Sequence, residues 1–321
     1  MKHLTAILCV LAMTSCTWVK DDIDDCPYGF WIRLHYTYNI LDVEAAPEYV
    51  TDATIYIYDA QGDYVKRIYA TQDALMVNDY AVQVEGLPEG DYQFVVWSGI
   101  GHSCYAVSGD TGPIDEFRFS LAQPTAHSAM QLPAVFHGYL PVVHYDDTHA
   151  VHDVSLTKNT NQLACLVVPV SNQTILDATD LAMRVVSANA TINAFNEVVT
   201  ETETIYEPLA QEQVTLNDPT YGELHGTKFS IMTLRLMEDI DSRLILQNES
   251  TGQTILNLSF TEYVGMIGSY YTNLGRPIPL QEYLDRQDFY TIVFYLSADL
   301  NQLIQISVNN WRVRANNHLK L

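Results

Sequence analysis

The run Ser155-Leu156-Thr157-Lys158 has the S-x-x-K spacing in which a lysine amine can take the proton of a nucleophilic serine. That chemistry needs a helix to bring both side chains to one face, whereas this run sits in a strand-like stretch with no companion motif, so the match is read as chance. His144, His149 and His152, with Asp146 and Asp147 between them, offer the imidazole and carboxylate ligands that zinc takes. Their spacing does not make a one-turn helical pair. They are read as polar loop histidines beside a domain junction, and no metal is assigned. H-E-x-x-H, G-x-S-x-G, the P-loop and G-x-G-x-x-G are all absent from the sequence. The expectation is a protein that is not an enzyme and has no cofactor. With 21 Tyr and 4 Trp the chain could line a carbohydrate platform. Most of these rings alternate with polar residues at strand spacing, which makes sheet packing their default role.

The N-terminus carries covalent chemistry of another kind. Positions 1–16 read MKHLTAILCVLAMTSC, with a basic start at Lys2, an apolar stretch from Leu4 to Met13, and small Thr14 and Ser15 before Cys16. This is a secretory signal peptide, too short to remain as a membrane span. The cysteine behind small residues resembles a bacterial lipobox, with Met13 where leucine is more usual. The resemblance implies cleavage before Cys16 and acylation of its thiol; each buried acyl CH2 contributes about 0.8 kcal/mol to a stable anchor. A secreted protein cut nearby is the plainer alternative. Residues 1–15 are thus the signal peptide and 16–26 a lipidated tether.

That tether carries Lys20 followed by Asp21, Asp22, Asp24 and Asp25. Such a charge run is a solvated spacer. Lys20, Asp21 and Asp22 also resemble the acidic export signal that sends Bacteroidetes lipoproteins to the outer face of the outer membrane. The expected location is therefore the cell outer membrane, lipid-anchored and surface-exposed. A calcium site is disfavoured, because the glycine and distal glutamate of an EF-hand loop are missing. Of the five cysteines, Cys9 leaves with the signal and Cys16 takes lipid. Cys26, Cys104 and Cys165 allow one disulfide in any pairing, or buried thiols.

The body of the chain must position whatever these residues do. Across 321 residues, 39 Asp and Glu face 16 Lys and Arg, a net charge of −23; loss of Lys2 with the signal makes it −24. Such a surface repels phosphate backbones and excludes nucleic acid as a partner. A hydrophobic content of 48% excludes wholesale disorder. Phe30, Ile32, Leu34, Tyr36 and Tyr38 alternate with Arg33, His35 and Thr37, the pattern of a strand with one face on a core. Residues 53–65 read as a hairpin turning at Asp59 to Asp63. The spacing of Leu87, Gly90 and Tyr92 resembles the tyrosine corner of β-sandwiches.

After Trp97 the period fades into a loop-rich stretch to about Asp147, and the domain boundary is placed near Ala150. The second half offers strands at ATINAF, LRLMEDIDSRLILQN, QTILNLSF, FYTIVFYLS and IQISVNNWRV. Short helices are expected at Gln72 to Met76 and Gln281 to Asp285. In the last strand region Ile304, Ile306 and Val308 share a face. Trp311 and Val313 fall on the opposite parity, so Asn309 and Asn310 make a bulge or tight bend. The predicted fold is all-β: two tandem antiparallel β-sandwiches, 27–150 and 151–321, behind the signal peptide and acidic tether.

The run from Tyr283 to Arg314, with Y-L-D-R at Tyr283 to Arg286, a strand at Tyr290 to Phe294 and I-x-V-N-x-W at Ile306 to Trp311, resembles the closing segment of the FimB-type fimbrial anchor and minor subunit family of Bacteroidetes type V pili. Further matches follow in order along the mature chain: Asp25-Cys26-Pro27, IYIYDAQGDYV, GDYQFVVWSG, FHG at Phe136 to Gly138, Y-x-P at Tyr206 to Pro208, and TLRLM at Thr233 to Met237. The resemblance implies transthyretin-like sandwiches that meet fimbrial shaft and accessory subunits by donor-strand exchange. One subunit's strand there completes a neighbour's sheet through main-chain bonds and side-chain pockets.

Shaft subunits of that family lose their first strand to an arginine-specific protease. An anchor keeps strand and lipid, stays in the outer membrane and limits fibre length. Here Phe30, Ile32, Leu34 and Tyr36 directly follow the tether, with only Arg33 inside the strand and no basic processing stretch before the next one, which favours a retained strand; Arg67 is a conceivable cut site that keeps the point open. Ile304, Ile306, Val308 and Trp311 either complete the second sandwich or are offered to a neighbour, and the reading adopted is that they close their own sheet. The alternative role is an accessory or tip adhesin, or a surface lipoprotein that binds a host ligand or glycan through exposed aromatics.

Overall fold

Strands form nearly everywhere the sequence alternates. The computed structural model describes residues 29–123, 127–146, 149–171, 181–199, 202–268, 277–300, 302–309 and 311–314. Cys16, Lys20, Asp21, Asp22 and Cys26 lie outside the described residues. The first strands are β1 (Phe30–His35), β2 (Asp52–Asp59), β3 (Tyr64–Thr71), β4 (Ala81–Val84), β5 (Gly90–Ser98), β6 (Tyr105–Ser108), β7 (Arg118–Leu121), β8 (His127–Ser128), β9 (Phe136–Tyr145), β10 (Ala150–Ser155) and β11 (Thr157–Lys158). Then come β12 (Thr160–Pro169), β13 (Leu181–Ser187), β14 (Thr191–Asn193), β15 (Thr204–Tyr206), β16 (Ala210–Asp218) and β17 (Gly222–Leu234). The chain closes with β18 (Arg243–Asn248), β19 (Thr254–Ser259), β20 (Phe289–Leu296), β21 (Leu303–Val308) and β22 (Trp311–Arg314). Short helices α1 (Ala46–Tyr49), α2 (Gln72–Val77), α3 (Phe260–Gly268) and α4 (Leu280–Arg286) interrupt them.

A sheet of order β11-β9-β5-β2-β3 lies at the centre of the N-terminal half. On one of its faces Ile55, Ile57, Phe94 and Val96 pack against Phe30, Ile32 and Leu34 of β1 and Val82 and Val84 of β4. The covering sheet has the order β10-β1-β4. On the other face Tyr56, Tyr58, Val95 and Trp97 meet Phe117 and Phe119, and this core continues into Leu163, Cys165, Phe229, Ile292 and Phe294 of the C-terminal half. There a sheet of order β16-β17-β12-β20-β21-β22 faces one of order β19-β18-β13-β15-β8, while β14-β7-β6 forms a third small sheet. The architecture is all-β, built of stacked sheets, with antiparallel pairs predominating. Parallel pairing occurs between β1 and β10, β12 and β20, and β15 and β8.

Several expected features are present in detail. The β2–β3 hairpin turns through Gly62 at φ 90°. Tyr92 donates its hydroxyl to the Pro88 carbonyl at 3.0 Å, which closes the corner that begins at Leu87. Both short helices lie where they were expected, as α2 and α4.

The stretch after Trp97 corrects its loop-rich reading. It holds β6 to β9, and β9 pairs with β5 along nearly its full length. Pro141 sits where that ladder shifts register, between the partners of Tyr92 and Phe94. A proline is tolerated at such a bulge and hides the strand's period. β14, from the ATINAF segment, pairs with β7 rather than with the later strands. Ala150 opens β10, which runs parallel to β1, and Thr157 and Lys158 pair with β9. In strand pairing, residues 150–158 thus go with the N-terminal sheets.

At the C-terminus β21 lies between β20 and β22, and Asn309, at φ 46°, makes the expected tight bend between them. Ile306 and Val308 are buried in the main core. Ile304 departs from their face and is 38% exposed, because the β20–β21 ladder slips beside it, between Tyr295 and Leu296. Nothing is described of the Trp311 side chain, although its backbone pairs with Val308. Burial of Ile306 and Val308 contributes roughly 1.5–3 kcal/mol each. Truncation before Asn301 is therefore expected to give an unfolded or insoluble protein by circular dichroism and gel filtration. A folded, soluble truncated chain would remove the hairpin from this core.

Candidate functional site: the first strand and its clamp

Phe30, Ile32 and Leu34 point inward and alternate with half-buried Trp31, Arg33 and His35. β1 is not an edge strand. It pairs in parallel with β10 from Phe30 to His35 and antiparallel with β4 from Phe30 to Arg33. Phe30 stacks on Phe94 with ring centroids 5.5 Å apart, and Tyr36 meets Phe136 edge-on at 4.9 Å. All four apolar residues singled out in this strand region are buried together in one core.

The end of the strand is tied on both sides by charge. His35 makes contacts through Nδ1 to Glu44 at 2.7 Å and through Nε2 to Asp153 of β10 at 3.2 Å. Burial pulls the His35 pKa down, yet the hydrogen bonds to the two carboxylates outweigh it, and the imidazole titrates above its ordinary 6.5. Glu44 also accepts the backbone N–H groups of Tyr36 at 3.0 Å and Ala46 at 2.8 Å. Burial works against ionisation of Glu44, but these bonds prevail and hold its pKa below the usual value.

Beyond Tyr36 the chain reaches the C-terminal half. Arg286 of α4 donates from Nη1 to the Asn39 carbonyl at 3.1 Å and to Asp42 at 3.2 Å, and from Nε to Glu282 at 2.9 Å. Its guanidinium also lies 4.4 Å from the centre of the Tyr38 ring. Next to it, Arg235 of the TLRLM segment donates from Nε and Nη2 to the two oxygens of Asp285, 2.8 Å each. This bidentate pair is buried, and Gln281 adds a further donor to Asp285 at 2.9 Å. A buried charge pair persists only when hydrogen-bonded this fully. Lys158 pairs with Asp288 and lies 5.5 Å from the centre of the Tyr49 ring. Burial, with help from Asp285 and Glu282, pushes the Tyr38 hydroxyl up to about 12.

These contacts give the motif residues their roles. Y-L-D-R is a buried helix whose Asp and Arg clamp two other segments. The glycine of FHG is required because a Cβ at Gly138 would meet Val154 at 2.5 Å and Leu156 at 2.9 Å. His137 is fully enclosed, donates Nε2–H to the Ala194 carbonyl at 2.8 Å, and is held neutral by burial with a pKa of about 4. Pro208 follows β15, where the chain leaves one sheet and starts β16 in another. Glu44 escaped the sequence reading, while Arg235 and Asp285 entered it only as members of the TLRLM and Y-L-D-R motifs, with no ion pair assigned to them.

The structure does not bring the other chemical candidates together. Ser155 ends β10, and Lys158 turns to Asp288 instead of serving it. His144 pairs with Asp91 at 2.8 Å, while His152 stacks on Phe30 at 4.6 Å. Among the described residues no group of three or more His, Cys, Asp or Glu could hold a metal ion. Cys104 and Cys165 are buried free thiols. No described helix is long and apolar enough to cross a membrane. The arrangement is mechanical: a paired first strand fixed to the rest of the protein by ion pairs.

Comparison with known proteins agrees with that character. A crystal structure of a candidate adhesin from Bacteroides thetaiotaomicron superposes with a TM-score of 0.79 at 24% identity, covering 92% of this chain and 100% of that one. A candidate polysaccharide-binding protein from the same organism gives 0.76 at 24% identity, covering 91% and 99%. The fimbrial anchor protein Mfa2 from Porphyromonas gingivalis gives 0.61 at 16% identity, covering 91% and 100%. At these identities the likeness is one of fold. No curated protein matches the chain. The model of the fimbrillin-A associated anchor proteins Mfa1 and Mfa2, however, matches residues 23–317, and the protein therefore belongs to that family of cell-surface fimbrial anchor proteins.

Proposed function

We propose that the chain is held in the outer membrane by lipid on Cys16, faces outward on the tether bearing Lys20, Asp21 and Asp22, and fixes a fimbria to the cell by strand addition with shaft and accessory subunits. The observation that carries this reading is that β1 is buried and hydrogen-bonded along both edges. A subunit waiting for a donor would present a groove there; an anchor with its own strand in place has no such need. Arg67 fits poorly as a processing site. It lies within β3, paired with Tyr56, and cutting after it would remove β2 from the middle of the central sheet as well as β1.

Docking then falls to outermost strands. Among the described residues β16 and β22 are the outermost strands of the six-stranded sheet. An outermost strand is the natural template for an added strand. On this reading β21 closes the protein's own sheet and β22 is the edge presented to a partner.

Retention of β1 has a pH signature. Because the His35 pKa is raised on folding, its stabilising contribution is full below about 6.5, the unfolded value, and fades as pH climbs through the folded value. His35→Gln should therefore cost more stability at pH 5.5 than at pH 8.5. The pair is about a third exposed, so solvent screening keeps the cost under about 1 kcal/mol. Urea melts at the two pH values measure it, and equal losses at both would remove His35 from the clamp. Cys16→Ala should release the protein from the membrane fraction; a variant that stays there would refute lipidation. Deletion of the gene should shed fimbriae into the medium, and attached fimbriae of unchanged length would overturn the anchor role.

A further inference from the structure

The face of the central sheet that carries Tyr56 runs out at its edge into a cleft of about 360 Å³. Thr54 of β2 lies opposite Tyr69 of β3, and Tyr56 opposite Arg67. Residues paired directly across antiparallel strands share a face, so these four side chains make a common floor. Val107 of β6 and Ile100 form an apolar wall, and Asp110 closes one end. Tyr69 is 63% exposed, a large ring left on the rim rather than packed into a core.

The polar groups are already set in place. Arg67 Nη1 donates to Asp110 Oδ2 at 2.9 Å, and Arg67 lies directly across the strand pair from Tyr56. Burial and the nearby Asp110 carboxylate push the Tyr56 hydroxyl up to about 12, so it stays protonated. Arg67 has five N–H donors in a fixed fork, and the bond to Asp110 leaves others for a ligand. Thr54 adds a hydroxyl that both donates and accepts. A mainly apolar cleft of this size with a few convergent polar groups is the usual build of a small-ligand site.

The chemistry selects among ligands. An aromatic rim beside a hydroxyl and an ion pair suits a molecule with an apolar C–H face and a ring of hydroxyl groups, which describes a pyranose. Arg67 is neutralised by Asp110, Asp52 adds a further negative charge to the cleft, and the whole chain carries −23. Anionic sugars are therefore repelled. We propose that this cleft binds a neutral hexose unit of a glycan, stacked on Tyr69 and hydrogen-bonded by Arg67, Asp110 and Thr54. The site is separate from β1 and from the β22 edge, so it stands or falls independently of the anchor role.

Saturation-transfer NMR on the full-length protein, with methyl glucoside, methyl galactoside, methyl mannoside and N-acetylglucosamine as probes and glucuronate as the anionic comparison, tests this directly. At least one neutral probe should receive saturation through its C–H face. Tyr69→Ala should weaken that probe's binding by about tenfold or more, a loss near 1.4 kcal/mol. Tyr69→Phe should retain the binding, and Arg67→Ala should lose it. Because Tyr69 is exposed, the melting temperature of Tyr69→Ala should match the native value, which separates lost binding from lost fold. Transfer to none of the neutral probes, transfer to glucuronate alone, or transfer undiminished in Tyr69→Ala would overturn the proposal.

Discussion

Burying a β-sheet on both faces removes the freedom a strand otherwise has to turn half its side chains to water. The sheet β11-β9-β5-β2-β3 is in that position, with Ile55, Ile57, Phe94 and Val96 on one side and Tyr56, Tyr58, Val95 and Trp97 on the other. Every neighbour must then supply a cover. β1 and β4 cover the first face. Phe117 and Phe119, the latter on β7 of the β14-β7-β6 sheet, cover the second, and the core on that side continues into the C-terminal half. The first strand is thus a structural lid for the central sheet, and its removal would bare a fully apolar surface. That constraint underlies the retained-strand reading more firmly than the absence of a processing motif.

The central sheet also explains what could be read in the sequence. β1, β2 and β3 were visible because apolar and polar residues alternate cleanly there, and Tyr92 because its corner has a fixed local spacing. β9 was not. Pro141 and the register shift beside it break the period, and much of the strand's middle is exposed. The long β16–β17 hairpin was also missed, since β16 is largely exposed and carries no apolar stripe. Helix α3 follows β19 directly, and its first residue, Phe260, is also the last of the QTILNLSF run read as a strand.

The clamp was invisible for a different reason: its partners are far apart in the chain. Arg235 meets Asp285 across 50 residues, and Arg286 meets the Asn39 carbonyl across 247. Pattern analysis sees spacing along the chain and has no access to such pairs. Only the motif resemblance hinted that Tyr283 to Arg286 mattered, and the hydrogen bonds supply the reason. A helix with both Asp285 and Arg286 buried must place each charge against a partner, and the partners it finds are the TLRLM segment and the turn after β1. The same long-range geometry assembles the Tyr69 cleft, where β6 closes over a hairpin whose own sequence announces only strands.

On the proposed anchoring, this arrangement has a mechanical consequence. The tether would join the chain immediately before Phe30, so tension from the membrane would enter along the axis of β1. Ladder hydrogen bonds lie roughly across that axis, and those to β10 and β4 would be sheared together instead of opened one at a time. His35 and Glu44 hold the far end of the strand, and Arg286 carries load from the turn at Asn39 and Asp42 into α4. A strand fixed in this way resists pulling at the place where an anchor is pulled. A shaft subunit instead gains its strength from a neighbour's inserted strand. The contrast lies in the source of the strand that completes the first sheet, and in this chain that strand is its own.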